Sequence, residues 1–335
     1  MSYSPRSTFP NSSRTTLDAM GVPLSGLLVE PSSGTPRAVV LALHGGGVRA
    51  GYFDSRAAPG LSLLELGVKL GFTVLALDRP GYGASAPFLP EGLNAQEQAE
   101  LLRAALVGFA RTHEIGSGFF VVGHSSGGQP ALTMAAQDHD DNIIGLDISG
   151  LGNTPAAEDE LPRDASGRMN WRRHWGAPSL YPPNAFRLCR SLLAPTPLRE
   201  TEEFLRWPQT YAEIASAVRA PVRFTFGEQE PWWRFDAEAV GNLTAPLTST
   251  RASVVVEPGA GHNISLGWTA RTYHLRALAF LEQTLPGGRP GAAPPSDSGH
   301  KNPPLPDYDG ISAPTSWQFL ARVMNPLAAM PERAG

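Results

Sequence analysis

Cysteine is almost missing from this chain. Cys189 stands alone among 335 residues, so no internal disulfide can form and no cysteine cluster is there to hold zinc or an iron–sulfur group. The 8 histidines are scattered, with no H-E-x-x-H among them. No metal or other cofactor is expected. Long apolar runs are also lacking. Nothing approaches the roughly 18 continuous apolar residues of a membrane span. Residues 1–14 are polar and rich in Ser and Pro, without the apolar core of a signal peptide. A cytoplasmic protein is the expectation. Excess charge is missing too. The net charge of -4 gives no electrostatic footprint for nucleic acid or an anionic membrane. No internal repeat is visible.

What remains is an ordinary globular composition, 41% hydrophobic and 17% charged. It suits one large α/β domain or two small ones. Continuous apolar runs at residues 38–43, 72–77, 119–122, 142–148 and 221–226 read as strands covered on both faces. Two shorter strands at 15–19 and 24–30 flank a turn at 20–23. A last strand is expected at 252–256. Helix patterns fall at 61–70, 94–112, 129–137, 235–243 and 271–285. The alternation implies a mostly parallel central sheet with helices on both faces.

The alternation breaks between about 151 and 219. That stretch is Pro-, Arg- and Trp-rich, with helix-like pieces at 185–193 and 200–207. It is too long for a connecting loop and reads as a lid inserted over a site. Its Arg/Trp cluster at 170–175 either grips an anionic or aromatic substrate or packs the lid itself. Residues 1–14 read as a loose arm, and 15–285 as the domain. Residues 286–335 read as a Pro/Gly-rich tail with a short helix near 317–323, an apolar piece that hints at self-association.

The chain is organised around residues 119–128, FFVVGHSSGG. A buried strand, a G-x-S-x-G turn and a helix follow one another. Such a turn strains the backbone at Ser125 and lifts its Oγ above the sheet. Gly123 and Gly127 are there because a Cβ would collide. The helix start offers the Ser126 N–H beside the nucleophile. A second glycine run, His44-Gly45-Gly46-Gly47, follows the strand at 38–43. It suits an oxyanion hole in which the Gly46 N–H works beside Ser126, with Gly47 a further candidate. His44 reads as a structural hydrogen-bonding residue. Residues 78–85, DRPGYGAS, are not a dinucleotide fingerprint, since Ala86 stands where a third glycine belongs and Pro87 blocks a helix start.

A serine hydroxyl needs a base, and the base needs a carboxylate. His262, in a Gly-rich loop past the last strand, is the base candidate. His124 sits inside the turn, and His113, His139, His174, His274 and His300 are worse placed. For the acid, Glu230 lies four residues past Phe226 at a strand's carboxyl end, and Asp147 is the alternative one strand earlier. Glu228 and Asp236 are less well placed.

These motifs together resemble the α/β-hydrolase fold over about residues 15–285. The resemblance rests on LHGGG at 43–47, DRPGYGAS at 78–85, GHSSGG at 123–128, GEQE at 227–230 and GAGHN at 259–263. HGGG is similar to the oxyanion loop of lipase-like esterases, while the 78–85 turn and the insertion resemble lidded hydrolases. The resemblance implies a serine hydrolase acting on a small ester, lactone or thioester, with Glu230 where relatives commonly carry aspartate. It leaves open acyl transfer or macrocyclisation from the same acyl-enzyme, non-covalent lyase or cyclase chemistry, and a binding protein with a dead site.

Overall fold

The computed structural model describes residues 12–156 and 175–286. The expectations for residues 1–11, for the Arg/Trp stretch at 170–174 and for most of the tail, with its helix at 317–323, lie outside the described residues.

The chain enters through a hairpin, β1 (Ser13–Ala19) and β2 (Val22–Val29). Its first strand begins inside the stretch expected to be a loose arm. Met20 and Gly21 alone make the turn, both at positive φ, 55° and 84°. That two-residue geometry follows the twist of the flanking strands. The Gly21 N–H donates to Asp18 Oδ1 at 3.1 Å and helps fix it.

Six more strands complete one sheet: β3 (Val39–Leu43), β4 (Thr73–Leu77), β5 (Phe119–His124), β6 (Ile143–Ser149), β7 (Val222–Gln229) and β8 (Ala252–Gly261). Their order is β1-β2-β4-β3-β5-β6-β7-β8. Only β1–β2 and β2–β4 pair antiparallel. β3, β4 and β5 are buried along their whole length, because side chains on both faces are covered. On one face Val39, Leu41 and Leu43 pack under α2 (Ala95–Ala110), α3 (Gly128–Ala136) and α5 (Leu198–Ser216). On the other, Val40 and Ala42 pack under α1 (Leu63–Lys69) and α7 (Ala270–Thr284), with α4 (Ala185–Cys189) added to that core. A further helix, α6 (Ala237–Thr244), precedes β8.

Helix ends follow local chemistry. Asn94 caps α2 through a box in which its side chain accepts from Glu97 N and Glu97 accepts from Asn94 N. α5 runs through Pro208, well past the helix-like piece expected at 200–207. Trp207, Tyr211 and Ala215 bury one face on both sides of that proline, and this packing outweighs the lost backbone bond. β7 and β8 also run longer than their apolar cores. Their loops stay paired through a register shift between Gly227 and Gln229, with Gln229 opposite Gly261. Glu230 and His262 thus leave the same edge one residue after their strands. Among the described residues no helix is long and apolar enough to cross a membrane.

Candidate active site

The turn after β5 holds Ser125 at φ 50°, a left-handed conformation that costs a non-glycine residue about 1–3 kcal/mol. The flanking glycines allow it. A Cβ on Gly123 would meet Gly128 Cα at 2.9 Å, across the turn. A Cβ on Gly127 would meet the Leu43 and His44 carbonyl oxygens at 2.4 Å. Gly127 is therefore required by β3 rather than by its own turn.

Ser125 Oγ lies 3.1 Å from His262 Nε2. His262 Nδ1 lies 2.8 Å from Glu230 Oε2 and 3.0 Å from Oε1. All three residues are buried. The Trp232 N–H also donates to Glu230 Oε1 at 3.0 Å, which holds the carboxylate in place. Gly150, at φ 61° after β6, makes room for the imidazole, since a Cβ there would meet His262 Cε1 at 2.9 Å. Asp147 does not reach this group. Its Oδ2 accepts from Arg223 Nε at 2.5 Å and its Oδ1 from Tyr273 Oη at 3.0 Å. Glu228 accepts from Gly259 N, and Asp236 caps α6.

Two further histidines near the site have partners of their own. His124 stacks on Tyr52 with ring centres 4.6 Å apart and faces Ser149 Oγ at 3.0 Å. His44 Nε2 accepts from Arg79 N at 3.0 Å, and its Nδ1 faces Gly45 O at 2.8 Å. Burial first and the Arg79 charge second hold His44 well below 6.5. It stays neutral and braces the glycine loop, the structural role expected of it.

Gly46 and Ser126 line the same cavity as Ser125. A Cβ on Gly46 would lie 3.4 Å from Ser126 Oγ, so the two backbone segments adjoin. Gly47 differs from expectation, because its N–H donates to Tyr82 Oη at 3.3 Å. That hydroxyl already occupies the donor.

Three polar residues behind the loop were not anticipated. Arg79 is fully buried and donates to His44 O, Gln98 Oε1 and Glu200 Oε1. Burial opposes its charge, but Glu200 and Tyr82 raise the guanidinium pKa further, so it remains a cation. Tyr82 Oη donates to Glu200 Oε1 at 3.0 Å, and burial keeps the phenol protonated. The turn at 78–85 is thus more than a turn. Glu200 carried a readable signal, a lone acid on the apolar helix face of Phe204, Trp207 and Tyr211.

The cavity above Ser125 has a volume of about 290 Å³. Trp175, Leu193, Phe204 and Trp232 give it an apolar wall, and Glu200, Thr196, Thr201 and the glycine loop a polar one. Trp175 is the one residue of the 170–175 cluster that is described, and it also packs on Tyr181 and Phe186.

A mostly parallel sheet with a strained serine at its carboxyl edge defines an α/β-hydrolase architecture. The model of the alpha/beta hydrolase family matches residues 39–274. The chain belongs to that family. No curated protein matches it. Among solved structures, it resembles a soluble variant of monoglyceride lipase from Saccharomyces cerevisiae, with a TM-score of 0.62, 15% identity and coverage of 85% of this chain and 99% of that one. A highly thermostable carboxyl esterase from Bacillus coagulans gives 0.59 at 19% identity, covering 82% and 99%. The thioesterase domain of the curacin biosynthetic pathway gives 0.53 at 15%, covering 80% and 100%. At these identities the likeness is one of fold.

Proposed function

We propose that this protein is a serine hydrolase that cleaves a small carboxylic ester, lactone or thioester through an acyl-enzyme. The observation that carries the reading is the line from Ser125 Oγ to His262 to Glu230, at 3.1 and 2.8 Å, on a strained turn beneath a cavity.

In this reading His262 Nε2 takes the Ser125 proton as Oγ bonds to the acyl carbon. The Gly46 and Ser126 N–H groups stabilise the oxyanion, each worth about 10²–10³ in rate. The oxyanion collapses, the bond to the leaving oxygen or sulfur breaks, and His262 returns the proton to it. Water then attacks the acyl-enzyme, losing a proton to His262, and Ser125 is released with its own proton restored. Glu230 holds the imidazole tautomer and balances its charge in both halves. Of the described residues between β6 and β7, Trp175, Leu193 and the start of α5 serve as the lid that roofs the cavity.

The test is a fluorophosphonate probe with the adduct mapped by mass spectrometry. Labelling at Ser125 that disappears in Ser125→Ala supports the reading. A folded protein that takes up no label, or keeps its turnover when labelled, refutes it.

A further inference from the structure

Glu200 projects from α5 into the polar wall of the cavity and is only 1% exposed. One of its oxygens, Oε1, is occupied by Arg79 Nη2 at 2.9 Å and Tyr82 Oη at 3.0 Å. The other, Oε2, is buried with no hydrogen-bond partner among the described residues. A carboxylate oxygen left this way is costly, and native proteins keep one where a water or ligand completes it. Resting on the hydrolase reading above, we propose that Glu200 forms an acyl subsite that accepts a hydrogen bond from a neutral hydroxyl close to the scissile carbonyl, making 2- or 3-hydroxyacyl esters or thioesters the preferred substrates.

Location decides which part of the substrate carries the hydroxyl. The site where a Gly46 Cβ would stand is 3.1 Å from Glu200 Oε1 and 3.4 Å from Ser126 Oγ. The carboxylate therefore adjoins the oxyanion side of Ser125. The leaving group departs on the other side, where His262 must protonate it and where Trp232 flanks the imidazole at 6.1 Å between rings. A group reaching Glu200 thus belongs to the acyl part. Gly46 keeps the approach open, since a side chain there would crowd the carboxylate.

Charge decides which donor fits. Arg79 already balances Glu200, and it is itself fully buried beside it. An ammonium on the substrate would place a second cation next to a desolvated guanidinium and would gain no net counter-charge. A hydroxyl meets the acceptor at no such cost. The apolar wall of Trp175, Leu193 and Phe204 takes the remainder of a short chain, since a cavity of about 290 Å³ is at the small end for ligand sites.

The experiment compares kcat/KM for p-nitrophenyl butyrate with its 2- and 3-hydroxy and 2- and 3-fluoro analogues. Fluorine is close to hydroxyl in size but cannot donate. The expected result is a hydroxy-over-fluoro preference of about tenfold or more at one of the two positions, falling to within about threefold in Glu200→Gln, which presents an amide donor instead. Comparing the ratio between enzymes cancels the inductive effect of fluorine. A wild-type ratio under about threefold at both positions overturns the subsite, as does a ratio unchanged by the substitution. If Glu200→Gln does not fold, Glu200→Asp withdraws the acceptor by a methylene and is read the same way. Turnover of plain butyrate with no hydroxyl preference sinks the subsite and leaves the hydrolase standing. Turnover of none of the esters sinks the hydrolase reading, and calorimetric titration with butyramide and its 2- and 3-hydroxy analogues then decides the subsite. Tighter binding of a hydroxyamide supports it, and equal binding refutes it.

Discussion

Glu230 and Asp147 are both buried carboxylates, one just past β7 and one within the adjacent parallel strand β6, yet they face opposite chemistry. Glu230 is the first residue past β7 and meets an imidazole. Asp147 lies within β6, opposite Arg223 of β7, and meets a guanidinium and the phenol of Tyr273 on α7. Burial pushes the Asp147 carboxyl up, and Arg223 pulls it back. The difference is one of position along the strand. An acid past the carboxyl end can serve a site above the sheet. An acid in mid-strand is locked into the layer beneath and needs a permanent cation.

The strongest way to break this contrast is to remove the first acid. Glu230→Ala should lower kcat by about 10³–10⁴ while leaving the melting temperature within a few degrees of the parent. Steady-state kinetics on an activated ester beside a thermal melt checks it. A small kinetic loss would mean that Glu230 is only a loop carboxylate. The mirror experiment is Asp147→Ala, which strands a buried Arg223. It should cost about 3–5 kcal/mol of stability by urea titration, with kcat per folded molecule close to the parent. If Asp147→Ala instead lost activity without losing stability, the two roles would be reversed.

Glu230→Asp sharpens the contrast from within the site. Aspartate keeps the charge but withdraws it by one methylene from His262 Nδ1. The expected loss is about 10²-fold in kcat, the scale of a 1 Å misplacement. A loop that relaxes to restore the contact would show as near-parent activity, and that outcome would mean the acid's length is not matched to its loop.

What was legible in the sequence was whatever leaves a glycine or an apolar run at a fixed spacing. Gly123 and Gly127 mark the strained turn, Gly45 and Gly46 the loop after β3, and Gly261 the approach to His262. A Cβ would collide at Gly123, Gly127 and Gly261 and crowd its neighbours at Gly45 and Gly46, and the glycine itself is the trace, even where the atoms it would meet lie far along the chain. The hydrophobic runs of β3 to β7 were legible because a strand buried on both faces is apolar throughout. The Arg79–Glu200 pair was not, since its partners lie 121 residues apart and nothing in the 78–85 motif points to an acid on α5. The helix through Pro208 and the paired extensions of β7 and β8 were missed because tertiary packing overrode local propensity there. Gly47 reads as a further candidate donor from sequence alone because nothing near it announces Tyr82, 35 residues on.

The smallest expected effect concerns the layer that holds Asp147. His274 lies next to Tyr273 on α7, fully buried, with its Nε2 3.0 Å from Ser265 Oγ. Burial holds its pKa down to about 3. Below about pH 6.5 the unfolded chain takes up a proton at this residue and the folded chain does not, so stability falls as pH drops from there toward 3. The loss is at most about 1.4 kcal/mol per pH unit for this group, and His44 adds to it in the same direction. Urea midpoints at pH 7.5 and pH 5.5 should therefore lie closer together in His274→Gln than in the parent, with kcat at pH 7.5 little changed. Equal spacing in both proteins would mean that His274 accepts its proton while still folded. The layer under the sheet would then be less dry than the pairing of Asp147 with Arg223 requires.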